Sequence, residues 1–387
     1  MTEALSPTLP DPRAETLVSA RSLIATYQKA GYARSHPGIL QPAEPFLDLS
    51  GEDIRARIFL TAGRSGEELC LRPDFTIPVS RDYLASPAAG QPQGYCYLGP
   101  VFRDRGSLPG EFLQAGIESF GRPDKAAADA ETLALGLAAT AHFGRQNPAI
   151  MTGDVALFAA LVSALDLAPA WTRRLIKDFN RKASLAQDLE RLTLHAPNVK
   201  ADYQGVLAAL AGSDPKAARA LVTDLLSIAG ISAVGGRSVG EIADRFLEQS
   251  TLGASATLPR ETHDLVVRFL GISGTPDDAA AAMRKLAAEG GLKLDAAFDH
   301  FESRNAAMKS LGIDLSRVAF SCAFGRGMDY YTGFVFELRD GDGDEPLVAG
   351  GRYDDLLTRL GAPAPIPAVG FSVWIERLAA LPVGGAA

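Results

Sequence analysis

Cysteine is scarce in this chain: its 387 residues include three, Cys70, Cys96 and Cys322, an odd number set far apart. That excludes a disulfide framework and a cysteine-based zinc cluster, and it suits a reducing compartment, so a cytoplasmic location is expected. Long apolar runs are missing too, with nothing near the roughly 20 residues a membrane helix needs. The segment Met1–Pro12 has neither the basic nor the apolar region of a signal peptide. Positive charge is in deficit: 38 Lys and Arg against 46 Asp and Glu leave a net charge of −8, which disfavours broad attraction to phosphate backbones. None of the five histidines lies close to a cysteine or another histidine, so no metal site or metal cofactor is expected. There is no Walker sequence, and Gly235-Gly-Arg-Ser-Val-Gly240 lacks the dinucleotide spacing and is expected to be a plain loop.

What is present is an ordinary globular composition, 47% apolar and 22% charged, enough for one large core or two smaller ones. Asp11-Pro12, then Leu17, Ala20, Leu23, Ile24 and Tyr27, then Gly31, predicts an amphipathic helix with an N-cap aspartate and a C-terminal glycine. Pro37, Pro42 and Pro45 mark an irregular connection after it. Glu68–Arg72, Gly94–Leu98 and Glu111–Phe120 read as short antiparallel strands between Pro/Gly punctuation. From about Leu161 to Leu294 the chain reads as helix, with runs such as Tyr203–Ala211, Pro215–Ile228 and Asp277–Glu289. Strand character returns at Val318–Phe324 and Phe334–Leu338, and Ala368–Leu378 reads as a strand passing into a helix. The expected architecture is α+β: a core domain from residues 1–160 and 295–387, interrupted by a helical insertion at 161–294.

Four stretches carry candidate chemistry. In Glu111–Phe120, strand alternation puts Gln114, Gly116 and Glu118 on one face, a notch between two polar groups. The same pattern also describes a solvent-facing strand with a glycine bulge. In Leu71–Thr76, Asp74 and Thr76 stand where they could cap a helix Ile77–Ala85 or hold an ammonium group. In Phe324–Glu337 with Gly350–Asp354, a glycine-flanked Arg326 suits a carboxylate, and the paired Tyr330 and Tyr331 offer an apolar wall with polar tips. In Pro367–Leu378, Arg377 near a helix start favours anions, while Trp374 fills space a close ligand would need.

In this order the four stretches resemble histidyl-tRNA synthetase, a class II aminoacyl-tRNA synthetase. Leu71–Thr76 is similar to that family's amino-acid-binding strand end, Gly99–Gly121 to motif 2, Arg326–Tyr331 with Gly350–Asp354 to its histidine-specific motifs, and Val369–Leu378 to motif 3. The resemblance spans most of residues 12–380 and is weak in the helical block. It implies a class II synthetase-like antiparallel sheet flanked by helices. It also implies a histidine pocket: Asp74, Thr76 and Gln114 on the α-amino group, Arg326 on the carboxylate, Glu118 with Tyr331 on the imidazole, and Tyr330 and Tyr353 as wall. Asp74 stands where the synthetases usually carry glutamate.

Departures from the synthetase pattern redirect the expectation. Phe102-Arg-Asp-Arg105 places Arg105 where that family has glutamate, the following loop shrinks to Gly106–Gly110, and Trp374 replaces a glycine of motif 3. Arg103, Trp374 and Arg377 are thus expected to form a vestigial nucleotide site, without catalytic residues. Nine residues follow Leu378, too few for an anticodon-binding domain. That profile, with Gln41–Asp48, resembles the regulatory subunits of ATP phosphoribosyltransferase. The resemblance implies a homodimer built around residues 12–45, inside a hetero-oligomer with a short-form catalytic transferase. It implies histidine as effector, with no cofactor, no tRNA and no membrane. The alternative is a synthetase-like enzyme that activates histidine with ATP.

Overall fold

The computed structural model describes residues 14–165, 167–193, 220, 223, 224, 228, 258–341, 343 and 345–380. Asp11-Pro12, Tyr203–Ala211, most of Pro215–Ile228 and Gly235–Gly240 lie outside the described residues. The chain divides into two compact units. One takes the chain up to Phe158, Phe269–Glu289 and the chain from Lys293 on; the other takes Ala159–Arg268 and Gly290–Leu292. The helix Pro276–Glu289, expected in the insertion, therefore belongs to the sheet-bearing unit. The two-residue strand before it hydrogen-bonds into the sheet, and Arg284 ties the helix to Asp299 and Glu302.

The described residues of the first unit hold twelve strands: β1 (Ala33–Arg34), β2 (Leu40–Pro42), β3 (Leu60–Ala62), β4 (Glu68–Leu71), β5 (Gln93–Phe102), β6 (Glu111–Phe120), β7 (Ala149–Asp154), β8 (Ser273–Gly274), β9 (Val318–Ser321), β10 (Phe334–Arg339), β11 (Pro346–Arg352) and β12 (Ala368–Trp374). Nine form one sheet in the order β1-β5-β6-β12-β11-β10-β7-β9-β8, and β2-β4-β3 make a small second sheet. The run from β5 to β7 is antiparallel throughout, as the sequence leads one to expect. The edges differ: β1 pairs with β5 in parallel, and so does β9 with β7, which makes the whole sheet mixed. Both parallel pairs are joined by long crossovers, β1 to β5 through the small second sheet and β7 to β9 through the second unit, since parallel strands cannot be joined by a tight turn.

Strand alternation divides the sheet into two faces. On one, Cys96, Ala115, Ile117, Phe336, Val348, Phe371 and Val373 are buried with Leu23, Tyr27, Leu133 and Met308 in one core. These last four come from the helices Ala14–Lys29, Lys125–His142 and Asp295–Ser310. In the first helix Ala20, Leu23, Ile24 and Tyr27 form the buried stripe, and Gly31 at φ +95° ends it, a backbone shape that glycine adopts without strain. The other face is lined by small residues. The pairing sets Gly99 beside Gln114, Gly116 beside Tyr97 and Ser372, and Gly370 beside Glu118 and Gly351. A face poor in side chains leaves a depression, and the helix Thr76–Leu84 covers part of it, with Phe75 stacked on Tyr97 and Tyr83 on Phe120.

A buried ionic network lies behind the sheet. Arg304 donates to Asp154 at 2.6 Å, and Arg352 donates to Asp129 at 2.6 and 2.9 Å and to Asp354 at 2.8 Å. All but Asp354 are at most 5% exposed, so the charges depend on one another for neutralisation.

In the second unit the helices Pro169–Lys177 and Lys182–Thr193 are joined by Asp188, a buried carboxylate that accepts from Arg174 and Arg191. Among the described residues, no helix is long and apolar enough to cross a membrane, and no group of three His, Cys, Asp or Glu could hold a metal ion.

Candidate functional site

The depression on the small-residue face is a recess partly open to solvent. Asp74, Thr76, Arg103, Gln114, Arg326, Tyr330, Tyr331, Tyr353 and Trp374 line it, over a floor that includes Gly370 and Ser372. Residues from four separate stretches of sequence therefore meet in one place.

Asp74 sits at the turn between β4 and the helix Thr76–Leu84. Its Oδ1 accepts a long 3.4 Å bond from the Ile77 N–H, a capping contact, while its Oδ2 is buried with no hydrogen-bond partner in the chain. Burial raises the Asp74 carboxyl above its ordinary range, with nearby Arg103 pulling the other way. Thr76 does not cap the helix; its hydroxyl donates to Glu118 at 2.8 Å. Gln114, on β6, is wholly buried, and neither its Oε1 nor its Nε2 has a partner. Leaving such groups unmet costs about 1–3 kcal/mol each, so a cluster of them facing a recess is a candidate ligand position.

Arg326 comes from the irregular stretch between β9 and β10. One terminal nitrogen donates to Glu337 at 2.7 Å, while Nε is buried and unpartnered. Glu337 also accepts from Arg339 at 3.0 Å. Tyr330 and Tyr331 follow, their rings 4.9 Å apart, and Tyr353 meets Tyr330 edge-on at 5.7 Å.

Glu118 does not line the recess. It is 1% exposed and lies just beneath Gly370, where a side chain would collide with its carboxyl. It is held by Thr76, by Tyr97 at 3.2 Å and by Tyr353. Burial pushes its carboxyl up to about 8, and the donated bonds from Tyr353, Thr76 and Tyr97 only partly oppose this.

The three residues expected at a vestigial nucleotide site are close together. Arg103 and Trp374 line the recess, and the Arg377 guanidinium lies 5.0 Å from the Trp374 ring centre. Both arginines already have partners: Arg103 donates to the Pro73 carbonyl at 2.7 Å, and Arg377 to the Pro346 carbonyl at 2.7 Å and to Glu345 at 3.0 Å. Trp374 is 8% exposed and stands beside Gln114 across the β6–β12 pairing.

Met328 and Ser372 also line the recess, and two further side chains position the residues around it. Tyr97 holds Glu118, and Glu337 holds Arg326. Alternation along β5 and β10 gives each a face, but only the register across strands shows that the face is this one.

The family model described as histidyl-tRNA synthetase matches residues 6–237 and 220–378. An ATP phosphoribosyltransferase regulatory subunit of Brucella canis is 44% identical over 347 residues, 89% of this chain and 91% of its own length. Among solved structures, an ATP phosphoribosyltransferase regulatory subunit/histidyl-tRNA synthetase from Bacillus halodurans is similar in fold, with a TM-score of 0.64 at 21% identity, covering 98% of this chain and 83% of its own. A histidine–tRNA ligase subunit from Alicyclobacillus acidocaldarius gives a TM-score of 0.57 at 25% identity over 98% of this chain and 96% of its own.

Proposed function

Since the chain belongs to the ATP phosphoribosyltransferase regulatory subunits, a family built on the class II fold of histidyl-tRNA synthetase, we propose that it binds free histidine and passes that occupancy to a short-form catalytic transferase. In this reading the chain activates the transferase at the first step of histidine biosynthesis, in the cytoplasm, and conveys feedback inhibition without chemistry of its own. The sheet-bearing unit carries the pocket, and the unit of Ala159–Arg268 and Gly290–Leu292 contributes no described residue to it. A homodimer built around residues 12–45 is the unit that meets the transferase.

One observation carries the reading: Asp74 Oδ2, both amide atoms of Gln114 and Arg326 Nε are buried, unpartnered and gathered around one recess. Two acceptors and an arginine edge match the ammonium and carboxylate of a free amino acid. The tyrosines supply a flat apolar wall for an imidazole. Tyr331 is assigned to the ring, with Glu118 acting through the hydroxyls of Thr76 and Tyr353 that it holds in place. Trp374 occupies the flank where a nucleotide would have to lie, and the partners already taken by Arg103 and Arg377 argue against adenylate formation.

Histidine feedback requires that the effector bind one quaternary state better than another; a coupling of about 1–3 kcal/mol is typical. The test is reconstitution. Purified chain added to a short-form transferase should raise its rate, and histidine should reverse the gain. Histidine-dependent exchange between ATP and pyrophosphate by the chain alone would instead establish a histidine-activating enzyme and end this reading.

A further inference from the structure

Arg326 has no regular secondary structure to hold it, because residues 322–333 between β9 and β10 form turns and irregular backbone. An arginine side chain left to itself loses about 2 kcal/mol of rotamer freedom when a ligand fixes it. Here a neighbour has fixed it beforehand. Glu337 lies on β10, paired with Ala349 of β11, which is in turn paired with Ser372 of β12, and both of those partners line the recess. Its carboxylate is therefore on the recess face of the sheet, 9% exposed, and it takes one terminal N–H of Arg326 at 2.7 Å.

What remains of the Arg326 fork is the edge carrying the buried, unpartnered Nε. A carboxylate is recognised best by two parallel N–H bonds from one edge of a guanidinium. Glu337 engages the other side and so presents that edge. By itself a carboxylate here would repel a second one, but Arg339 offsets this by donating to Glu337 from the outer side, itself one-third exposed. Two arginines and one glutamate leave a single positive charge, which one ligand carboxylate would balance.

We infer that Glu337 is a positioning residue that makes the recess selective for a ligand bearing a carboxylate, with Arg339 as its counter-charge. This rests on the histidine reading and adds a prediction which that reading does not make. Histidinol carries a hydroxymethyl group where histidine has its carboxylate and keeps the amine and the imidazole, so the pair isolates the carboxylate contact.

The experiment is calorimetric titration of the full chain with L-histidine and with L-histidinol, in the wild type, Glu337→Gln and Arg339→Gln. The wild type prefers histidine. Glu337→Gln weakens histidine roughly tenfold while histidinol moves by less than about twofold, so the preference collapses. Arg339→Gln, at a partly exposed position where folding is not at stake, lowers histidine affinity by about two- to fivefold with histidinol unchanged. Equal losses for both ligands, or an unchanged preference in Arg339→Gln, would overturn the inference and leave the histidine reading intact. A wild type that binds neither ligand removes both.

Discussion

The Tyr353 hydroxyl donates to the buried carboxyl of Glu118, joining the end of β11 to β6 across the intervening strand β12. Neither residue is close to the other in sequence, and together with Thr76 and Tyr97 they make the rear wall of the recess a hydrogen-bonded unit.

The unit has a pH signature. The Glu118 carboxyl is raised from an ordinary 4.5 to about 8 by burial, so the folded chain keeps a proton that the unfolded chain releases. This contribution to stability is fully present below about pH 4.5 and is lost as pH rises toward 8, a total of a few kcal/mol. Glu118→Gln mimics the protonated form. Chemical denaturation of both proteins should show the wild type losing stability relative to the variant between pH 5 and 8; parallel curves would mean that Glu118 is ionised when folded.

Replacing Arg326 by alanine removes a charge-assisted fork and should weaken histidine binding by about 30- to 150-fold, corresponding to roughly 2–3 kcal/mol. Asp74→Asn keeps the shape but removes the negative charge facing the ammonium, and a loss of about tenfold is expected. Titration calorimetry checks both, and affinities equal to the wild type would dissolve the site assignment.

Trp374 is one of two tryptophans, the other being Trp171 in the second unit. In a Trp171→Phe protein, indole emission comes from the recess alone and should change saturably as histidine is added. Trp374→Gly should open the flank enough for an adenine nucleotide to bind measurably, where the wild type binds none. Nucleotide binding of equal strength in both proteins would show that the indole does not obstruct it.

The ion network behind the sheet predicts a stability effect without a ligand effect at the recess surface. Asp154→Ala leaves Arg304 with its 2.6 Å partner gone in a position 1% exposed. The expected cost is about 3–5 kcal/mol, read as a shift of the denaturation midpoint. Arg304→Met, which removes the charge and retains bulk, should cost less.

Much of the site was legible in the sequence because strand alternation is a local rule. Gln114, Gly116 and Glu118 could be assigned to one face from β6 alone, and β6 spans the residues expected. The resemblance to the synthetases then brought Asp74, Arg326 and the tyrosines to the same place. What could not be read was anything that depends on register between distant strands. That is why Glu118 was expected at the recess surface, whereas the small Gly370 opposite lets its carboxyl fold beneath the floor. It is also why β11 has no local signature: Gly350-Gly351 favours a turn by composition, and only the strand on each side shows that no side chain fits there. Composition places the helix Pro276–Glu289 in the insertion, whereas the pairing of Ser273–Gly274 with β9 and the contacts of Arg284 with Asp299 and Glu302 give it to the sheet-bearing unit.

Arg352 and Tyr353 are adjacent in the chain yet serve opposite sides of the sheet, one clasping Asp129 on the helix Lys125–His142 and the other reaching Glu118. Alternation along extended backbone sends the two side chains to opposite faces. A change of backbone at this one pair would therefore reach both the helical layer, through Asp129, and the rear wall of the recess, through Glu118.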